Sequence, residues 1–233
     1  MTTRVMFISP AVSKALREAR FAESRSDGER RNDDEGRVDN EGRVDNDGHR
    51  EESDELDAVG LRQAEAVREV FPRAAALYVS PSRRCRRTAE VLGLDARPVS
   101  GLAPCAMGRW QGRTLDEVAA DEPESVALWL ADPASSPHGG ESLLALHARV
   151  GHWLDSLSTG AAAKRERRPE EPRGHIIAVA EPDIIRAATV HALGATPQAF
   201  WRVDVRPLTA TELTGRDGRW NLLSGRPLTS AAS

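Results

Sequence analysis

The chain has 233 residues, of which 39% are apolar and 29% charged, with a mean hydropathy of -0.48. That is enough for one sizeable α/β domain, and no run approaches the roughly 20 apolar residues of a membrane span. The net charge of -4 is uneven: residues 22–55 hold 14 acidic and 6 basic residues and the rest 22 and 26, so the remainder is mildly basic and carries no nucleic-acid footprint.

In chain order, MTTRVMFISP is too short and too lightly charged for a signal peptide, so a cytoplasmic protein without a membrane partner is expected. Arg4–Ile8 reads as a short buried strand ending at Ser9-Pro10, and a helix is expected from about Val12 to Phe21. The hexamer EGRVDN then occurs twice in tandem, at 35–40 and 41–46. Its only apolar members are Val38 and Val44, too few to offset ordering entropy, so residues 25–52 are expected to form a disordered acidic insertion. DNDG is similar to part of an EF-hand loop, but position 1 of that pattern would be Arg43, which argues against calcium.

Order resumes in ELDAVGLRQAEAVREVF, where Val59, Ala64, Val67 and Val70 suit one helix face. AAALYVS is a second strand, ended by Pro81, and SRRCRRTAEVLG is a helix with Gly93 as its stop. Arg83, Arg86 and Arg87 read as a solvated helix face, while Arg84 is the arginine expected to face a pocket. A polar loop, LAPCAMGRWQG, precedes short helices near 114–119 and 124–131, with Trp110 and Trp129 as core. HGGES is a turn opening an amphipathic helix with Leu143, Leu144, Leu146, Val150, Trp153 and Leu154. A polar linker, STGAAAKRERRPEEPRG, leads to HIIAVAEPDIIRAATVHALG, a strand that turns into a helix at Glu181-Pro182. LTATELTGRDGRWNLLS reads as a hairpin around Asp217-Gly218, and residues 229–233 as a flexible tail. Cys85 and Cys105 lack metal-ligand spacing and read as ordinary thiols; no metal site and no cofactor are expected.

Alternating strands and helices predict an α/β fold, a three-layer α/β/α sandwich with a mostly parallel sheet, in one domain made of residues 1–24 and 53–228. Ligands in such sheets bind beyond the carboxyl ends of the strands. The corners Ser9-Pro10, Ser80-Pro81 and Glu181-Pro182 should therefore meet in one place if their strands are parallel neighbours.

The motifs LDAVGLRQAEAV, YVSPSRRCRRTAEVLG, LAPCAMGRWQG and PHGGES with the downstream Arg149 come in an order that resembles the histidine phosphatase superfamily, of phosphoglycerate mutase-like fold. The resemblance implies a phosphomonoester hydrolase lineage. It implies a nucleophilic histidine after the first strand, a second histidine after a later one, clamping arginines and a carboxylic acid for the leaving group. Carried over position by position, the nucleophile falls on Pro10, within Ser9-Pro10-Ala11, the acid on Pro104 and the second histidine on Glu181. Only Arg84, a phosphate-binding arginine, has its counterpart. No histidine precedes His49; His175 begins its strand, His191 ends a helix, and His147 and His152 read as structural or solvated. His138, Glu141 and Ser142 are candidates for the pocket rim.

The leading expectation is thus a degenerate member without phosphohistidine catalysis that takes a small phosphorylated molecule or other anion. A second is a phosphatase with altered chemistry using Glu181 and Arg84. A third is a scaffold whose acidic loop engages a protein partner.

Overall fold

In a computed structural model, residues 2–21, 56–68, 71–72, 74–158 and 175–224 are described. The expected acidic insertion, most of the polar linker, Val70 and the C-terminal tail lie outside these residues.

Six strands form one sheet, in the order β3-β2-β4-β1-β5-β6. Strands β1 (Thr3–Ile8), β2 (Ala76–Val79), β3 (Arg97–Pro98) and β4 (His175–Val179) run parallel, while β5 (Ala210–Arg216) and β6 (Arg219–Leu223) form the antiparallel edge. Ile8 and Val79 both pair with Val179, so the three strand ends are level with one another. The period of two in RVMFI divides β1 between the faces: Val5 and Phe7 enter one apolar cluster, Met6 and Ile8 the other.

Helices cover both faces, as a three-layer sandwich requires. On one side lie α6 (Leu143–Ser158) and α7 (Pro182–Leu193), supplying Leu146, Val150, Leu154, Ile184 and Ala188 to the larger cluster. On the other lie α2 (Ala58–Ala66) and α3 (Arg83–Val91), supplying Ala64, Cys85 and Ala89. The helix α3 starts where Ser82 Oγ accepts from Cys85 N, and ends before Gly93, which has a left-handed φ of 74°. Pro182 occupies the first turn of α7, where a missing N–H costs nothing. Short helices α1 (Lys14–Arg17), α4 (Leu115–Asp121) and α5 (Pro123–Ala131) complete the described residues, with a third apolar cluster of Met107, Trp110 and Val118.

Three expectations need correction, and one strand went unforeseen. The first helix is one turn, because Ala19 adopts a φ of 49° and Arg20 N bonds back to Ala15 O. The buried face of α2 is Gly60 and Ala64, and Val59 is 38% exposed, because that helix packs through glycine against Val12. On α6, Leu144 points outward at 48% exposure. The two-residue β3, with both residues exposed, has no apolar pattern that could announce it.

No helix among the described residues is long and apolar enough to cross a membrane.

Candidate functional site

The corners after β1, β2 and β4 meet, as parallel neighbours must. Ser80 N donates to Val179 O and Ala180 N to Ile8 O, which ties the three together. The first corner is filled. Ser9 is fully buried, its Oγ donating to Arg206 O and Thr209 O while accepting from Thr209 N. Pro10 is buried, its carbonyl accepting from Leu208 N at 3.4 Å, and Ala11 N donates to Thr88 Oγ1. The loop at 206–209 thus lies across the end of β1.

At the other two corners Arg84 and Glu181 form an ion pair, with side chains only 11% and 6% exposed. One terminal guanidinium nitrogen contacts Glu181 Oε2, and Arg84 Nε donates to Oε1 at 3.3 Å. Ser82 Oγ donates to Oε1 at 2.7 Å, and the Cys85 thiol is 3.5 Å from the same atom. Burial raises the Glu181 pKa, but the Arg84 charge and these hydrogen bonds outweigh it and hold the carboxyl below its ordinary value. Burial, and then the Glu181 charge, push the Cys85 thiol well up.

A cleft of about 230 Å³ opens beside this pair. Its charged lining is Arg20, Arg84, Glu181, Asp183 and Arg186; most of the rest is apolar, including Phe21, Met107, Trp129, Phe200 and Trp201. Pro104 lines it too, at the position expected for the leaving-group acid. Among the described residues no histidine lines it, and no group of three or more His, Cys, Asp or Glu side chains is placed to hold a metal ion.

The rim residues expected from the sequence lie elsewhere. His138 is 1% exposed and packs on Trp110 with ring centroids 5.1 Å apart, and its Nδ1 accepts from Gly140 N. Burial, then Arg109, lower its pKa. Glu141 forms a two-point ion pair with Arg149, at 2.9 and 2.7 Å, and Arg149 also donates to Gly101 O and Ala103 O. Ser142 Oγ accepts from Ala145 N at the start of α6. His138 and Glu141 are thus spent on the joint between the turn at 137–142 and the loop at 102–112, and Ser142 on the start of α6. His147 and His191 lie together between α6 and α7, ring centroids 5.7 Å apart, with His191 Nε2 3.2 Å from Asp155.

Two cleft residues were missed in the sequence. Asp183 Oδ2 accepts from Cys105 N at 2.7 Å and Oδ1 from Ile184 N at 2.8 Å. Burial, against the Cys105 N–H bond and with the Glu181 charge adding to it, pushes its pKa up to about 6. Arg186 sits one helical turn on, with Nε donating to Val203 O and its guanidinium carbon 5.6 Å from the Phe200 ring centroid. Their signal was available: both follow the corner in EPDIIR at i, i+3 spacing, one face of a helix. Trp129, expected as core, packs against the Met107–Trp110–Val118 cluster and also lines the cleft.

Comparison with known proteins matches the family model "Histidine phosphatase superfamily (branch 1)" over residues 37–226. A glucosyl-3-phosphoglycerate phosphatase of Mycobacterium tuberculosis strain H37Rv is 33% identical over 153 residues, 63% of this chain and 67% of the relative. The Mycolicibacterium vanbaalenii enzyme of the same name is 34% identical over 158 residues, 64% and 67% of the two chains. Among solved structures, the mycobacterial glucosyl-3-phosphoglycerate phosphatase complexed with VO3 superposes with a TM-score of 0.68, at 23% identity and 94% and 96% coverage. The α-ribazole phosphatase of Shigella flexneri gives 0.69, at 14% identity and 95% coverage of each chain. The family match spans most of the sequence and agrees with the sheet order and the joined corners: the chain belongs to the histidine phosphatase superfamily.

Proposed function

We propose that this chain keeps the histidine-phosphatase architecture and has lost phosphohistidine catalysis, leaving a weak anion site. The observation that carries the reading is the buried Arg84–Glu181 ion pair. A phosphoryl group spreads negative charge over its oxygens, and enzymes of this chemistry stabilise it with fixed cations and donors. Here the cation is engaged by a carboxylate that stands where the resemblance places the second histidine, and that carboxylate repels a phosphate dianion.

The corner after β1 supports the same reading. A phosphohistidine forms when an imidazole nitrogen attacks phosphorus and the alkoxide leaves with a proton from an acid. The side chain of Pro10 has no nucleophilic atom, and Pro104 has no proton to give. Glu181 is a poor substitute nucleophile, since both of its oxygens accept hydrogen bonds or ion-pair contacts.

The test is a sensitive turnover assay over phosphomonoesters, with glucosyl-3-phosphoglycerate first because relatives carry that name, and with divalent metals added and removed. We expect no release of phosphate above the buffer control. Turnover that disappears in Glu181→Gln and in Arg84→Met would instead establish the altered chemistry.

A further inference from the structure

The chain has ten aromatic side chains, five Trp, four Phe and one Tyr, and half of them form one run, of which Phe21, Trp129, Trp201 and Phe200 line the cleft. Trp110, Phe21, Trp129, Trp201 and Phe200 follow one another with ring centroids 5.7, 5.9, 4.7 and 5.0 Å apart. A site for a free phosphate or a sugar phosphate has no use for so much apolar wall. A site for a flat apolar body does, because aromatic surface supplies contact area and edge-to-face geometry.

The charges beside that wall are not equivalent. Arg84 and Glu181 engage each other. Arg20 donates to Glu18 and to Gly112 O. Asp183 accepts one backbone N–H on each oxygen. Arg186 differs: its Nε donates to Val203 O, and its two terminal nitrogens have no hydrogen-bond or carboxylate partner among the described residues. Nearby, the indole N–H of Trp201 is buried without an acceptor. Buried donors are normally satisfied, so the indole N–H marks a place where an acceptor is due, and the half-buried Arg186 offers its terminal nitrogens to the same cleft. Three arginines against two carboxylates leave the lining with an excess of one positive charge.

We propose that the cleft binds a small aromatic carboxylate, whose ring lies against the Trp129–Trp201–Phe200 wall and whose carboxylate is taken by Arg186. A planar guanidinium edge matches a planar carboxylate in two parallel hydrogen bonds, and one cation suits a monoanion rather than a phosphate dianion. The proposal rests on the preceding reading that the corner is no longer a phosphohistidine site.

The test uses the full chain and three probes: 2-naphthoate, its uncharged amide, and inorganic phosphate, with tryptophan fluorescence and calorimetry as readouts. Saturable one-to-one binding of 2-naphthoate is expected, at least about tenfold tighter than the amide, because a hydrogen bond to a charged group is worth that much. Arg186→Met should bring naphthoate to the affinity of the amide and leave the amide unchanged, which also shows the variant folded. A second arm needs no variant: benzoate should displace naphthoate from the unmodified chain, and benzamide should not. Equal affinity for naphthoate and amide, no binding of either, or competition by benzamide as strong as by benzoate would overturn the proposal. Hydrolysis of 4-nitrophenyl phosphate by the same preparation would overturn the reading of the corner and leave these binding results to stand or fall alone.

Discussion

Glu181 binds Arg84 in a place nearly closed to water, and such a pair gives little net stability because desolvation of two charges offsets their attraction. Breaking it is another matter. Glu181→Gln leaves a buried guanidinium without its counter-charge, at a cost of about 3–5 kcal/mol. It also frees that guanidinium for phosphate. The expected result is a variant of lower melting temperature that phosphate raises in proportion to its binding, and calorimetry showing tighter phosphate binding than in the unmodified chain. Tight phosphate binding by the unmodified chain would contradict the account of the ion pair. The two cleft carboxylates also predict opposite pH effects. Asp183, raised to about 6 from an ordinary 3.8, holds its proton better in the folded state, so stability grows as pH falls through 6. Glu181, depressed below an ordinary 4.5, contributes above that value and is lost as pH falls through its folded pKa. Urea midpoints measured from pH 7.5 to 3.5 should therefore rise as pH falls through 6 and stop rising only below 4.5, where the Glu181 loss sets in, and Asp183→Asn should flatten the limb between 7 and 5.

The motifs that made the family visible serve packing more than chemistry. A Cβ on Gly60 would meet Val12 O at 2.3 Å, so glycine lets α2 touch the segment after the first corner. A Cβ on Gly140 would meet Ala106 O at 1.8 Å, and Gly108 has a φ of 50°; these two let the turn at 137–142 interlock with the loop at 102–112. Because Val12 O is backbone and cannot swing aside, Gly60→Ala should cost about 1–3 kcal/mol. The urea midpoint should fall with the slope unchanged, and Thr114→Gly, which removes only the cap bond that starts α4, should cost less. The same distinction explains what the sequence disclosed. Helices α3 and α7 were legible from Ser82, Gly93 and Pro182, local signals acting within one turn. The corners were legible because they are strand ends. The aromatic cleft was not, since Phe21, Trp129 and Trp201 stand far apart in the chain and nothing local marks them as neighbours. His138 was misplaced because Gly-Gly turns at pocket rims and Gly-Gly turns that bury a ring read alike.

Taken together, the corners set how far a repair could go. The loop at 206–209 is fastened to Ser9 and Pro10 by side-chain and backbone hydrogen bonds, so the end of β1 is closed by backbone as well as by the proline ring. A histidine placed there gains a nucleophile, but it faces a repelling carboxylate at 181 and has no acid opposite at 104. General acid–base assistance alone is worth about 10²–10⁴ in rate. Pro10→His by itself should therefore leave hydrolysis of 4-nitrophenyl phosphate at background, with no acid-labile phosphohistidine trapped on rapid quenching. Combined with Pro104→Glu and Glu181→His, the same change should give a detectable phosphohistidine before it gives efficient turnover, because attack needs only the nucleophile and the freed Arg84, whereas release needs every group in register. Robust turnover from the single change would mean that the corner is open and the carboxylate harmless, against both the buried ion pair and the bonded loop.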